Sequence, residues 1–277
     1  MGEQDDSLVA ALYEALPYIK TFAGKPVVIK LGGSAFDGRD TTLQDILTLK
    51  SLGVKPVLVH GGGKDISSLL KRLGIEPTFV GGLRVTDEQT LDAVVMVLAG
   101  KVNKELVGAL QALGAPAIGL SGPDGGLLEG RVKDPALGLV GEVTRVNLGV
   151  LRLVMDAGYV PVVAPLALAK DGRCLNVNGD TAAGEIAATV GAAKIIFLTD
   201  VQGIRNADGA TITQLTRQGV HELIETGVVS GGMIPKVLAC VRALEGAERA
   251  HIIDGRVPHA LIRELYTDRG VGTMITG

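Results

Sequence analysis

Residues 26–34, PVVIKLGGS, and residues 55–66, KPVLVHGGGKDI, share one plan. Each is a short apolar run that ends in glycines and gives way to a helical pattern. A continuous Val- and Ile-rich run has no polar face, so it reads as a strand covered on both sides, as in the middle of a parallel sheet. The glycines fall at the strand's carboxyl end, where open α/β sheets bind ligands. Glycine at that point lets backbone N–H groups approach an anion, helped by the N-terminus of the following helix. Lys30 interrupts the first run two residues before its glycines, an unusual position for a merely solvated charge.

Similar runs recur at 115–120, 160–165, 194–199 and 249–253. Helical patterns lie between them at about 41–52, 63–73, 87–112, 146–157, 180–190, 232–245 and 257–266. A front helix at 5–20 carries Leu8, Leu12, Leu16 and Ile19 on one stripe. Strands alternating with helices predict an α/β protein: a three-layer αβα arrangement around an open, mostly parallel sheet in two lobes. The segment 121–145 predicts turns and short strands, and 166–178 a hairpin around Asp171-Gly172. The pattern divides into a helical extension (1–22), a first lobe (23–190) and a second lobe (191–277).

Composition narrows the function. Glycine is 39 of 277 residues, twice the usual share of about 7%, yet no Gly-X-Y period occurs. Aromatics are 3%, Trp is absent and the net charge is −3, so neither base stacking nor phosphate neutralisation favours a nucleic-acid partner. No apolar run is long enough to span a membrane, and the acidic amphipathic N-terminus is unlike a signal peptide. Two cysteines, Cys174 and Cys240, form no disulfide framework, which suits the cytoplasm. The P-loop pattern fails because Gly63-Lys64 is followed by Asp65, and the dinucleotide fingerprint fails at Ile66. The four histidines show no metal-ligand spacing, and His60 reads as a packing or hydrogen-bonding residue.

In order and spacing, the stretches VVIKLGGSA, KSLGVKPVLVHGGG, FVGGLRVTD, VNKELV, GLSGPDGG, GEVTRVN, LNVNGDTAA, FLTDVQGI, GGMIPKV and ELYTDRGVGTMI resemble the amino acid kinase family, in its branch acting on N-acetyl-L-glutamate. The likeness runs from about residue 8 to 277. It implies an acetylglutamate-binding lobe, an ATP-binding lobe, and transfer of the γ-phosphoryl group to the substrate's side-chain carboxylate, the second step of arginine biosynthesis. Two anions must then meet, so cations and oriented dipoles carry the reaction. By the resemblance, Lys30 and Lys236 face the transferred phosphoryl group and Asp180 orients both lysines. From the residues alone, Asp180 also reads as the N-cap of helix 180–190.

The resemblance makes Gly32, Gly33 and Gly62 backbone donors to the phosphoryl group, an oxyanion-hole type of cradle. Gly62 and Gly63 donate to the substrate, Arg84 pairs with its α-carboxylate as a bidentate fork, and Asn176 bonds its carboxylate or amide. Thr199, Asp200, Val201, Gln202, Gly203 and Ile204, with Gly231, Gly232 and Met233, lie along the nucleotide. Mg2+ is expected on the phosphates, held by them and by water rather than by protein ligands. Lys64-Asp65 stands where the family commonly has Pro-Gln.

The front helix resembles an extension that links dimers into a hexamer in arginine-inhibited relatives, with Tyr13, Glu264 and Gly270 as candidate arginine contacts. A PII-type signalling protein is a further partner known in some relatives. Two alternatives stay open at this point: a kinase for carrier-protein-linked α-aminoadipate or glutamate, and a non-catalytic arginine-sensing protein.

Overall fold

The computed structural model describes residues 2–32, 41–267 and 270–277. The chain begins with α1 (Gly2–Phe22), β1 (Pro26–Leu31), α2 (Thr42–Ser51), β2 (Lys55–His60) and α3 (Gly63–Arg72). A small hairpin follows, β3 (Phe79–Val80) and β4 (Leu83–Arg84), then α4 (Glu88–Val95), α5 (Asn103–Ala112) and β5 (Ala117–Leu120). Next come β6 (Leu128–Val132), β7 (Val140–Val146), α6 (Leu148–Asp156), β8 (Val160–Val163), β9 (Leu166–Leu168), β10 (Cys174–Val177) and α7 (Gly179–Val190). The chain closes with β11 (Lys194–Thr199), β12 (Gln214–Thr216), α8 (Arg217–Glu225), α9 (Met233–Ala243), β13 (Ala250–Asp254), α10 (Ala260–Tyr266) and β14 (Thr273–Thr276).

Eight strands form one sheet in the order β12-β14-β13-β11-β1-β2-β8-β5, parallel throughout except between β13 and β14. The expected α/β class and mostly parallel sheet are present. β1 sits centrally, with Lys30 opposite Phe197 of β11 and Val59 of β2. Because side chains alternate across a strand, Val27, Ile29 and Leu31 pack against one helix layer with Ile46, Leu49, Leu106, Leu110 and Leu261. Val28 faces the other layer, with Ala183, Ile186, Val237 and Cys240 of α7 and α9. Each fully buried Val, Leu, Ile or Phe contributes roughly 1.5–3 kcal/mol.

Several expected elements differ in detail. The single helix expected at 87–112 is interrupted by a π-helical stretch, Met96–Val102, between α4 and α5. Local periodicity does not distinguish that wider turn from α-helix. The 121–145 and 166–178 segments supply β6, β7, β9 and β10, which close into a small barrel. Helix α8 was not evident from the pattern, because Val220 is its one buried residue; Thr216 caps it through Gly219 N–H. The edge strand β12 and its neighbour β14 were also missed: they are only three and four residues long, and β12 has no buried position.

Candidate active site

Lys30 lies two residues beyond Val28 on β1 and therefore faces α7 and α9. Those helices approach closely because Gly184 has no side chain; a Cβ there would come 2.7 Å from Ala239 O. Asn178 caps α7, its Oδ1 accepting from the N–H groups of Asp180 and Thr181. The capping role considered for Asp180 thus belongs to Asn178, and Asp180 is free within the first turn to reach the sheet.

Lys30 Nζ is 2.7 Å from Asp180 Oδ1, and Lys236 Nζ donates to Asp180 Oδ2 at 3.1 Å. All three residues are buried. Burial alone would raise the Asp180 carboxyl, but Lys30 and Lys236 hold it below the usual carboxylate range. Burial pushes Lys30 down, opposed by Asp180 and reinforced by Lys236. Two ammonium groups share one carboxylate, which leaves an uncompensated positive charge in a dry place. Such a site stabilises an anion, and strongly, because the local dielectric is low.

Beside this cluster a cavity of about 170 Å³ is lined by Gly61–Gly63, Phe79, Arg84, Leu98, Asn176 and Gly179, among others. Gly179 bridges the two: a Cβ built on it would lie 3.4 Å from Lys30 Cε. Arg84 is buried, not the surface arginine its type suggests. Its Nη2 donates to Gly63 O at 3.0 Å and Ser67 Oγ at 2.8 Å, and its guanidinium carbon lies 4.7 Å from the centre of the Phe79 ring. Its Nη1 is buried and finds no partner among the described residues, which leaves a donor suited to an incoming carboxylate. Asn176 Nδ2 donates to Thr86 Oγ1 at 3.0 Å.

The glycine cradle needs one correction. The Gly32 N–H donates to Leu198 O at 3.1 Å, extending the β1–β11 ladder, so that amide is committed and does not point at a ligand. Gly33 lies outside the described residues. Gly62 precedes α3 and lies against Leu98: a Cβ would meet Leu98 Cδ2 at 2.7 Å. Gly63 opens α3. At the unusual Lys64-Asp65 pair, Asp65 forms an ion pair with Lys101 of the π-helical stretch.

The proposed nucleotide residues cluster around β11 and α9. Thr199 ends β11 opposite Asp254 of β13. The following loop carries Asp200, Val201, Gln202 and Gly203, and Ile204 N–H donates to Thr273 Oγ1 at 2.8 Å. Gly231 adopts φ +56° and Gly232 leads into α9 at Met233, the helix that carries Lys236. Sequence reasoning missed Asp254 and Arg256. Arg256 grips both Asp254 oxygens, Nε to Oδ1 at 2.9 Å and Nη2 to Oδ2 at 2.8 Å, and those bonds hold the Asp254 carboxyl low.

A second cavity, about 540 Å³, opens between the end of α1, α10 and the β13–β14 pair. Glu264 and Gly270 line it, with Tyr18, Phe22, Lys194 and His251. Tyr13 is not among its lining residues and is 71% exposed on α1. Lys194 Nζ donates to Glu264 Oε1 at 2.9 Å, and His251 Nδ1 is 2.7 Å from the same oxygen. Neither Lys194 nor His251 was expected, since one begins a strand and the other sits inside one.

The sheet, the paired lysines about Asp180 and the glycine-rich strand ends define a class: the profile of the amino acid kinase family matches residues 25–254, and the chain belongs to that family. Within it, the chain is 52% identical over 282 residues to the acetylglutamate kinase of Synechococcus sp. strain CC9311, covering 99% of each. It is 50% identical to the acetylglutamate kinase of Caldanaerobacter subterraneus subsp. tengcongensis, over 95% of this chain and 91% of that protein. Among solved structures, it is similar to the N-acetylglutamate synthase of Neisseria gonorrhoeae, complexed with coenzyme A and N-acetyl-glutamate. The TM-score is 0.87 at 30% identity, covering 97% of this chain and 63% of that one. Carbamate kinase from Giardia lamblia, at 17% identity and a TM-score of 0.66, shares the fold.

Proposed function

We propose that this chain is an acetylglutamate kinase of arginine biosynthesis. A side-chain carboxylate oxygen of N-acetyl-L-glutamate attacks the γ-phosphorus of ATP, the bond to the β-bridging oxygen breaks, and N-acetyl-L-glutamyl 5-phosphate and ADP leave. The observation that carries this is a cavity holding a buried guanidinium nitrogen with no partner, set directly against a cluster with two lysines for one carboxylate. Arg84 binds the α-carboxylate there, with Asn176 and the Gly62 and Gly63 amides completing the substrate contacts. Lys30 and Lys236 stabilise charge on the transferred group, Asp180 holds both lysines in place, and Gly62 donates to the phosphoryl oxygens.

Lining residues of that cavity all fall between 61 and 179, which supports an acetylglutamate lobe over 23–190. Residues 199–204 and 231–233 belong to a nucleotide lobe over 191–277. Among the described residues no group of three or more His, Cys, Asp or Glu could hold a metal ion, and both Asp180 oxygens face lysines. Mg2+ accompanying ATP would be held by the phosphates and water rather than by these side chains, and would supply neutralisation of the phosphate charge. We assign the protein to the cytoplasm, consistent with two free cysteines and with described helices that are all too short or too polar to cross a membrane.

Arginine is proposed as a feedback inhibitor in the second cavity, contacting Glu264 and Gly270. Helix α1, with Leu12 and Tyr13 exposed, then links dimers into a hexamer. ATP-dependent hydroxamate formation with N-acetylglutamate tests the activity, with Lys30→Ala as control. Turnover only on a carrier-linked substrate, or on none, would replace this reading with one of its two alternatives. Sizing that yields dimers only, with activity indifferent to millimolar arginine, would remove the regulatory part.

A further inference from the structure

His60 and Asn103 lie behind the Gly61–Gly63 turn, both buried, and neither lines the substrate cavity. Their hydrogen bonds admit one arrangement. Val162 O can only accept, and Asn103 Nδ2 donates to it at 2.8 Å. Lys104 Nζ can only donate, and it reaches Asn103 Oδ1 at 3.0 Å. Both ends therefore fix the same amide orientation. Asn103 Nδ2 is also 3.2 Å from His60 Nε2, so that ring nitrogen must be the acceptor and the imidazole's single proton sits on Nδ1. Nδ1 lies 2.8 Å from Gly61 O and donates to it. Burial, with Lys30 and Lys104 nearby, pushes His60 down to about 4, so the ring stays neutral near pH 7.

The Gly61 carbonyl and the Gly62 N–H belong to one planar trans peptide and point in opposite directions. Anchoring the carbonyl on His60 therefore aims the Gly62 N–H the other way, where no backbone carbonyl accepts it among the described residues. We infer that His60 and Asn103 are positioning residues that set the direction of the Gly62 amide toward the transferred phosphoryl group. This rests on the proposed kinase reaction for its kinetic consequence, but not for its geometry. Without the pair, the glycine peptide can rotate, and the donor is lost from the site although every residue of the cavity remains.

The test pairs two variants with one spectroscopic measurement. His60→Leu removes the Nδ1 donor; His60→Asn restores an amide N–H near the same place. For His60→Leu, kcat is expected to fall roughly 10- to 100-fold, short of the full loss of an oxyanion donor, while KM for N-acetylglutamate changes by less than about threefold. His60→Asn should recover most of the lost kcat. An unimpaired His60→Leu, or a His60→Asn as impaired as His60→Leu at equal melting temperature, overturns the inference. Independently of activity, NMR of the 15N-histidine-labelled wild-type protein should show His60 as the neutral Nδ1–H tautomer from pH 5.5 to 8. An Nε2–H tautomer, or titration near the ordinary histidine value, overturns it as well. Wild-type inactivity on N-acetylglutamate would defeat the functional reading alone, since the tautomer would still decide the geometry.

Discussion

Two buried ionic clusters sit on opposite sides of β11, and their arithmetic differs. Around Asp180, two lysines share one carboxylate. Around Glu264, one lysine and a histidine share one carboxylate, and burial pushes that histidine toward its neutral form. The first cluster carries one positive charge too many, whereas the second is balanced. A surplus cation costs stability in a folded protein and repays it only when an anion arrives, so the first cluster reads as chemistry. The balanced cluster holds α10 to the sheet and closes one wall of the second cavity.

Removing a lysine from each gives the largest contrast. Lys30→Met should lower kcat by roughly 10²- to 10³-fold in the hydroxamate assay with little change in melting temperature, because Lys236 still pairs with Asp180. Lys194→Met should do the reverse, lowering stability in denaturant unfolding by roughly 3–5 kcal/mol because Glu264 keeps a buried charge without its lysine. Equal effects on rate in both variants would erase the distinction. Next in size, Asp180→Asn leaves two buried ammonium groups without a counter-charge and should cost about 3–5 kcal/mol. Added ATP should restore part of that stability by binding the native state. Glu264→Gln should be destabilising too, with no recovery on adding ATP.

Half of this contrast was legible in the sequence. Lys30 stood out because a charge inside an apolar strand run has few explanations; that it shares the Val28 face, toward α7 and α9, came from the structure. Asp180 and Lys236 came from motif resemblance; their meeting depends on α7 and α9 touching at Gly184, a contact 55 residues apart that no local pattern encodes. The Glu264 cluster was half seen, since Lys194 and His251 join it only because β11 and β13 are neighbours. The short strands of 121–145 and the 166–178 hairpin were legible, but their closure into a barrel and the π-helical stretch escaped for a related reason: such features owe their form to partners across the fold. Gly32 shows the converse error, because a glycine at a strand end looked like a free donor until its ladder bond to Leu198 was located.

Acid should weaken both clusters and the His60 network in the same direction. Asp180 and Glu264 are held below their ordinary range, so their stabilisation is present above the unfolded carboxyl value and is lost as pH falls through the folded one. For His60 the unfolded ring takes its proton near 6.5 and the folded ring near 4. The unfolded state thus binds more protons between those values, and stability falls from pH 6.5 toward 4, by at most roughly 3 kcal/mol from this residue. Melting temperature measured across that window should drop less steeply in His60→Asn than in the wild type. Parallel curves would show that another group dominates the acid limb.

The smallest effect separates two glycines that look equivalent by distance. A Cβ on Gly184 and a Cβ on Gly62 would each make a nearest contact of 2.7 Å. At Gly184 the obstacle is Ala239 O, a backbone atom that cannot move without shifting α9. At Gly62 it is the Cδ2 methyl of Leu98, the end of a flexible side chain. Gly184→Ala should therefore force α7 away from α9, lengthening the Asp180–Lys236 contact and lowering kcat along with stability. Gly62→Ala should cost only about 1 kcal/mol, the low end of overpacking, provided Leu98 changes rotamer. Leu98→Ala removes the obstacle, so a double-mutant cycle should show the Gly62→Ala penalty shrinking in that background by roughly 0.5 kcal/mol or more. The cycle also separates packing from chemistry at this turn. A loss of activity from Gly62→Ala that is as large in the Leu98→Ala background as in the wild type belongs to the direction of the Gly62 amide, whereas a loss that shrinks together with the stability penalty belongs to the methyl contact alone.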